Sequence, residues 1–346
     1  MAYTTINKST AHFNTKLYTG NGGTQSITGV GFQPDLTWIK QTTGSTNNVL
    51  YDAVRGAYWT IQSNTSAAQS ADDGLVAWNS DGFNLGNVAT TNASGGSKYA
   101  SWNWKAGTTG SGTTGQNKTY NYSVNTTAGF SIIKYQGSGV NNHKIPHHLG
   151  AKPMVKFVKS TGHIENWTCY WDAFQDSSKY IQLNTTTAKQ SDTGKWGGYD
   201  TSSLMNLGSD DDTNEASSGV NFVAYCFAEK QGYSKFGSYK GNGNADGAFV
   251  YTGFKPAFVM IKRSDGSASW EIRDNKRKPF PDGNGKRLFP DSGSAESSNS
   301  EVIEKLSNGF KIRSTGAGHN ANNGTYIYMA FGQSIVGSNN VPATAR

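Results

Sequence analysis

Cysteine is nearly absent from this chain. Cys169 and Cys226, the only two among 346 residues, cannot make a disulfide framework. Both lie in strand-like runs, where a buried, reduced pair is expected. Charge is sparse too: Asp, Glu, Lys and Arg make up 16% of the sequence. Aromatic residues at 12% still supply a core, which excludes disorder. No apolar run approaches the roughly 20 residues of a membrane span. The opening MAYTTINKST has neither a basic nor an apolar leader segment, so nothing marks it for secretion. Synthesis in the cytoplasm without a membrane partner is the expectation, and an outside role would need delivery by another route, such as assembly into a particle released by lysis.

Catalytic signatures are also missing. The sequence has no P-loop, no G-x-S-x-G, no H-E-x-x-H and no Cys-x-x-Cys, so neither an enzyme nor a cofactor is expected. His143, His147, His148 and His163 cluster without cysteine or carboxylate at ligand spacing. They read as exposed loop histidines rather than a metal site. Asp210-Asp211-Asp212 lacks the spaced ligands of a calcium loop and reads as an acidic turn. The net charge of +7 is densest at Lys276-Arg277-Lys278 and Lys286-Arg287. No basic-aromatic stripe accompanies it, so a solvated or partner-facing surface is expected, with no nucleic acid.

Glycine is abundant, with 42 residues, and it punctuates short alternating runs as in turn-rich β structure. The runs recur three times. Tyr18-Thr19-Gly20-Asn21-Gly22 leads to Gly31-Phe32-Gln33-Pro34 and Trp38-Ile39-Lys40. Tyr135-Gln136-Gly137 leads to Lys152-Pro153 and Phe157-Val158-Lys159, and Tyr239-Lys240-Gly241-Asn242-Gly243 to Phe254-Lys255-Pro256 and Met260-Ile261-Lys262. The expected fold is all-β: tandem antiparallel β-sandwich modules, lectin-like or jelly-roll-like, from three internal repeats. Residues 1–106 form module 1, 107–120 a flexible Gly/Ser/Thr linker, 121–230 module 2, 231–336 module 3 and 337–346 a polar tail. With that linker, module 1 is expected to be hinged or separately docked, while modules 2 and 3 pack rigidly together.

Within each unit the closing strand is the most apolar. Ala100, Trp102 and Trp104 match Val223, Tyr225 and Phe227, and Ile327, Met329 and Phe331, so these positions are expected to fill three small cores. Lys40, Lys159 and Lys262 are expected to lay their stems along the apolar edge with the ammonium in water. Asp52, Asp172 and Asp274 share a slot, with Arg55 and Arg277 three residues on in two copies. Such recurrence suits a turn or cap acid better than a catalytic one. Trp59, Trp167, Trp171 and Trp270 would suit a sugar platform, although Trp167 and Trp171 sit inside a strand and favour the core. Contacts with a partner or glycan are placed on Trp59, His143, His147, His148, Lys276, Arg277 and Lys278.

These Y-T-G-N-G, G-F-x-P-x-x-x-W-I-K, D-G-F-x-L-G and closing aromatic motifs resemble a repeated module of marine bacteriophage virion structural proteins, of the tail-fibre-like or concanavalin-like kind. The resemblance implies a non-enzymatic particle protein on the virion surface, bound to other capsid or tail proteins and open to homo-oligomer formation. The sequence lacks a heptad or triple-helical shaft, which favours capsid decoration, knob-like or cement-like. The alternative is a tail-fibre or receptor-binding protein with lectin-like binding of a host surface glycan. An enzyme acting on polysaccharide would need two acids roughly 5–10 Å apart in a groove.

Overall fold

The computed structural model describes residues 4–217, 220–277, 285–299 and 302–334. The chain is all-β, with antiparallel sheets arranged in sandwich-like pairs. Module 1 contains β1 (Phe13–Thr19), β2 (Gln25–Thr28), β3 (Leu36–Gln41), β4 (Val49–Asp52) and β5 (Trp59–Gln62). It continues with β6 (Ser70–Ala71), β7 (Ala77–Asn79), β8 (Gly82–Leu85) and β9 (Lys98–Trp104). A large sheet runs β1-β9-β3-β4-β5-β6 and a small one β2-β8-β7. Successive side chains of a strand point to opposite faces. Tyr99 therefore joins Ile39, Tyr51, Phe83 and Leu85 between the two sheets, while Trp102 and Trp104 face away from them.

Module 2 contains β10 (Thr108–Thr113), β11 (Thr119–Asn125), β12 (Phe130–Gln136), β13 (His143–Pro146) and β14 (Val155–Ser160). Then follow β15 (Thr168–Trp171), β16 (Lys179–Gln182), β17 (Gln190–Ser191), β18 (Leu204–Leu207) and β19 (Asn221–Phe227). Its large sheet keeps the order β12-β19-β14-β15-β16-β17, faced by β13-β18, and adds β10 and β11 beyond β12. The expected linker is thus mostly sheet. Gly110 pairs with Tyr122 and Gly112 with Tyr120, and a Cβ on either glycine would stand 2.6 Å from the opposing phenol oxygen. Those glycines make room for tyrosine rings laid across β10; they are not there for slack.

Module 3 contains β20 (Ser234–Lys240), β21 (Phe249–Tyr251), β22 (Pro256–Arg263), β23 (Glu271–Asp274) and β24 (Gly285–Arg287). It ends with β25 (Ser297–Asn299), β26 (Val302–Leu306), β27 (Gly309–Arg313) and β28 (Thr325–Gly332). The order β20-β28-β22-β23 matches β1-β9-β3-β4, and β21-β27-β26 is the small sheet. The expected tail, 337–346, lies outside the described residues.

The three large sheets turn their outer faces toward one another, and those faces build a single core. It takes Phe13, Trp38, Trp102 and Trp104 from module 1, Phe157, Trp171, Tyr225 and Phe227 from module 2, and Phe258, Met260, Met329 and Phe331 from module 3. At its centre stand the equivalent residues Trp104, Phe227 and Phe331, with ring centroids 5.8–6.3 Å apart. The expectation of three separate cores is corrected: the matched large faces are spent on joining the modules. Each such side chain contributes about 1.5–3 kcal/mol on burial, so module 1 is locked in place rather than hinged.

Candidate functional site

Three sets of equivalent residues stitch the modules together in one cyclic direction. The side chain of Asn48 donates to the carbonyls of Phe289 and Ser292, module 1 to module 3. The Trp167 indole donates to Gln62 O at 2.8 Å, module 2 to module 1. The Trp270 indole donates to Gln182 O at 2.9 Å, module 3 to module 2. The backbone amides of these three residues are held by Asn64, Asn184 and Asp291. Burial pushes the Asp291 carboxyl up to about 6. Trp167, Trp171 and Trp270 are fully buried, so no sugar platform forms from them.

The lysines obey the same cycle. Lys40 Nζ donates to Gln41 O and Gly44 O and across to Gly293 O. Lys159 Nζ reaches Ser66 O of module 1, and Lys262 Nζ reaches Thr186 O of module 2. All three are buried, contrary to the expected hydrated ammonium, and burial pulls each down to about 8.

The aspartate slot needs one correction. Asp52 pairs with Leu36 and Asp274 with Phe258, but the residue opposite the equivalent Val155 is Trp171. Asp172 falls one residue later on a 3-10 turn and pairs with Lys152 at 2.5 Å. Tyr225 donates to Asp52 and the Trp102 indole to Asp274 Oδ2 at 3.2 Å. The third equivalent donor position holds Met329, which cannot donate. There the slot itself donates: the Trp171 indole bonds Tyr328 O at 3.1 Å. Arg55 and Arg277 bind their own module's aspartate at 2.5 and 2.6 Å.

The residues proposed for contacts are scattered. His143 is buried between Asn214 Oδ1 at 2.8 Å and Thr114 Oγ1 at 3.0 Å, and His147 is buried against Thr201 O. Burial lowers the pKa of both, so they are structural groups rather than exposed loop histidines. His148 lies flat on Tyr122, 3.7 Å between ring centroids. His163 stays at the surface, 2.6 Å from Glu215. Trp59 is 40% exposed on β5, beside the exposed Tyr58. Lys276 is exposed, Arg277 is buried on Asp274 and Glu296, and Lys278 lies outside the described residues. Lys286 and Arg287 face Glu296 and Glu271, so the basic stretches are largely matched by acids.

The acidic turn is a helix cap. Asp210 accepts from the Asp212 amide at 2.9 Å, and Lys195 binds both carboxylates. Glu165 joins Asp212, and the hydrogen bond between them, followed by burial, lifts Glu165 to about 7. Among the described residues no group of His, Cys, Asp or Glu could hold a metal ion.

Sequence reasoning missed Asn92, Asn214 and Asn320, which are fully buried at the ends of three single helical turns. Asn92 donates to Gly23 O and Gly86 O, Asn214 to Val140 O and Gly208 O, and Asn320 to Asn244 O and Ser314 O. Each pins the glycine turn after the opening strand. A Cβ at Gly20, Gly137 or Gly241 would stand 2.1–2.3 Å from a carbonyl oxygen just beyond the asparagine. That clash explains the recurring Tyr-x-Gly. The signal lay in one asparagine per module, standing 12, 13 and 11 residues before the equivalent Trp104, Phe227 and Phe331.

A groove of about 320 Å³ lies at the start of module 3, lined by Glu229, Gln231, Gly232, Ser234, Lys235, Tyr251, Thr252 and Gly253. A family model for a domain of unknown function matches residues 8–334. No curated protein and no solved structure matches the chain.

Proposed function

The chain belongs to the DUF7483 family, and we propose that it is a non-enzymatic structural protein of a bacteriophage particle, displayed on the capsid as a decorating knob. The observation that carries this reading is the single core shared by three equivalent modules. It joins the three modules through contacts that run in one cyclic direction, an arrangement suited to a local threefold position on a shell. The recurring polar residues are spent on joining the modules, as with Lys40, Lys159 and Lys262, or on pinning turns inside them, as with Asn92, Asn214 and Asn320. The raised Glu165 is bonded to Asp212, which is itself held by Lys195. The pair is not spread across a cleft as glycoside hydrolysis requires. The resemblance to virion modules supplies the particle.

The test is cryo-EM of the intact particle, together with sedimentation of purified protein with undecorated capsids. Knob-shaped density on the capsid and co-sedimentation are expected. Density confined to the tail would overturn the decoration reading.

A further inference from the structure

We propose that the groove of module 3 is a binding site for a neutral saccharide, presented at one module of the three. Its wall is Tyr251, 60% exposed on the edge strand β21, with Phe249 exposed two residues earlier on the same face. An aromatic ring left in water beside a concavity offers a flat apolar surface to the C–H face of a sugar ring. The polar groups opposite suit hydroxyls. Glu229 Oε1 accepts from the Phe236 amide at 3.0 Å and Oε2 from Lys235 Nζ at 2.9 Å. A carboxylate has about four acceptor positions, so two remain for ligand O–H donors. Ser234 is buried and its Oγ accepts from the Lys230 amide at 3.0 Å, which leaves its proton to donate. Gln231 is exposed and brings both a donor and an acceptor. Glu229 and Lys235 cancel in charge, so the groove favours a neutral hydroxyl-rich ligand over an anion.

Gly253 lines the groove with φ +82°, a conformation that disfavours a side chain there. Gly232, with φ +74°, backs onto Thr4, whose side chain would stand 2.9 Å from a Cβ at that position. Among the described residues the other modules lack the aromatic wall. By strand pairing, Ile27, Ile145 and Val250 are equivalent, facing Phe83, Met205 and Phe310. The next residue is therefore Thr28 in module 1, Pro146 in module 2 and Tyr251 in module 3. In module 2 the neighbouring surface is also covered, because His148 stacks on Tyr122 of the added strand β11. Lys16 reaches over Gly29 in module 1. The aromatic wall is thus a feature of one copy and is not part of the shared scaffold.

This site does not depend on where the protein sits on a particle. The test is saturation-transfer NMR on the full chain, with the methyl glycosides of glucose, galactose, mannose and N-acetylglucosamine at 10 mM each. Transfer to at least one of them is expected, reduced at least tenfold in affinity by Tyr251→Ala and retained by Tyr251→Phe, which keeps the ring. Tyr58→Ala, at an exposed aromatic of another module, should leave it unchanged. No transfer to any of the four, or transfer that survives Tyr251→Ala, would overturn the proposal.

Discussion

Tyr225 of module 2 donates its phenol proton to Asp52 Oδ2 of module 1 at 2.8 Å, and both groups are fully buried. The bond crosses a module boundary and ends on a carboxylate already paired with Arg55. Removing the donor with Tyr225→Phe should cost about 1–3 kcal/mol, because a buried acceptor loses a partner. Asp52→Ala should cost more, about 3–5 kcal/mol, because it strands the Arg55 guanidinium. Urea unfolding of both single variants and the double variant checks this. A coupling energy near zero would mean that the contact does nothing.

The three buried lysines predict a pH dependence. Each has a folded pKa of about 8 against 10.5 in the unfolded chain, so the unfolded state holds more protons between those values. Stability should therefore rise with pH from 8 toward 10.5, by up to about 1.4 kcal/mol per pH unit for each lysine. Urea midpoints between pH 7.5 and 9.5 report the slope, which the thiols of Cys169 and Cys226, raised by burial, partly offset at the upper end. The triple Lys→Met variant should flatten it.

Asp291 stands where the other copies carry Asn64 and Asn184. Its carboxyl is raised from 3.8 to about 6, so the stability it contributes is complete below pH 3.8 and is lost as pH rises through 6. Asp291→Asn keeps the acceptor for the Trp270 amide and removes the ionisation. Thermal melts should show the variant gaining over the parent at pH 8 and matching it at pH 4. An equal shift at both values would refute the cause given.

Gly241→Ala would place a methyl group 2.3 Å from the Ala321 carbonyl oxygen. Backbone must move to admit it, and overpacking of this kind costs about 1–3 kcal/mol. Gly23→Ala, whose nearest neighbour would be 3.9 Å away, serves as the control and should melt within a degree or two of the parent.

Cys169 faces the shared core and Cys226 the interior of module 2, on opposite sides of one sheet. They cannot bond to each other, and burial raises both thiols. A thiol reagent should label neither in the native protein and both in 6 M guanidinium without reductant. Labelling of the native protein would place one of them at the surface.

Much of the fold was legible because strand alternation and turn glycines act locally. The closing strands, the Pro-led third strands and the glycine turns all follow from spacing alone. What the sequence hid was the destination of each face. Trp102 and Tyr225 read as core residues in either case, and period-two alternation cannot say whether that core lies within a module or between modules. Burial of Lys40 was unreadable for a related reason: the carbonyl of Gly293 that receives it lies 253 residues away. Composition also misled at 107–120, where Gly110 and Gly112 looked like slack until Tyr120 and Tyr122 were placed over them. The aspartate slot slipped by one residue in module 2 because an Asp happened to follow Trp171. The groove was invisible, since Tyr251 looks like any outward residue of an alternating strand.

The closed ring of contacts has a consequence for any smaller relative. A protein holding one such unit would carry a bare aromatic face with nothing of its own to cover it, and three copies would have to assemble before that face was dry. Joining the copies end to end removes the concentration dependence of that assembly. It also frees each position from its twins, which is how one place in the ring can hold a carboxylate twice and an indole once.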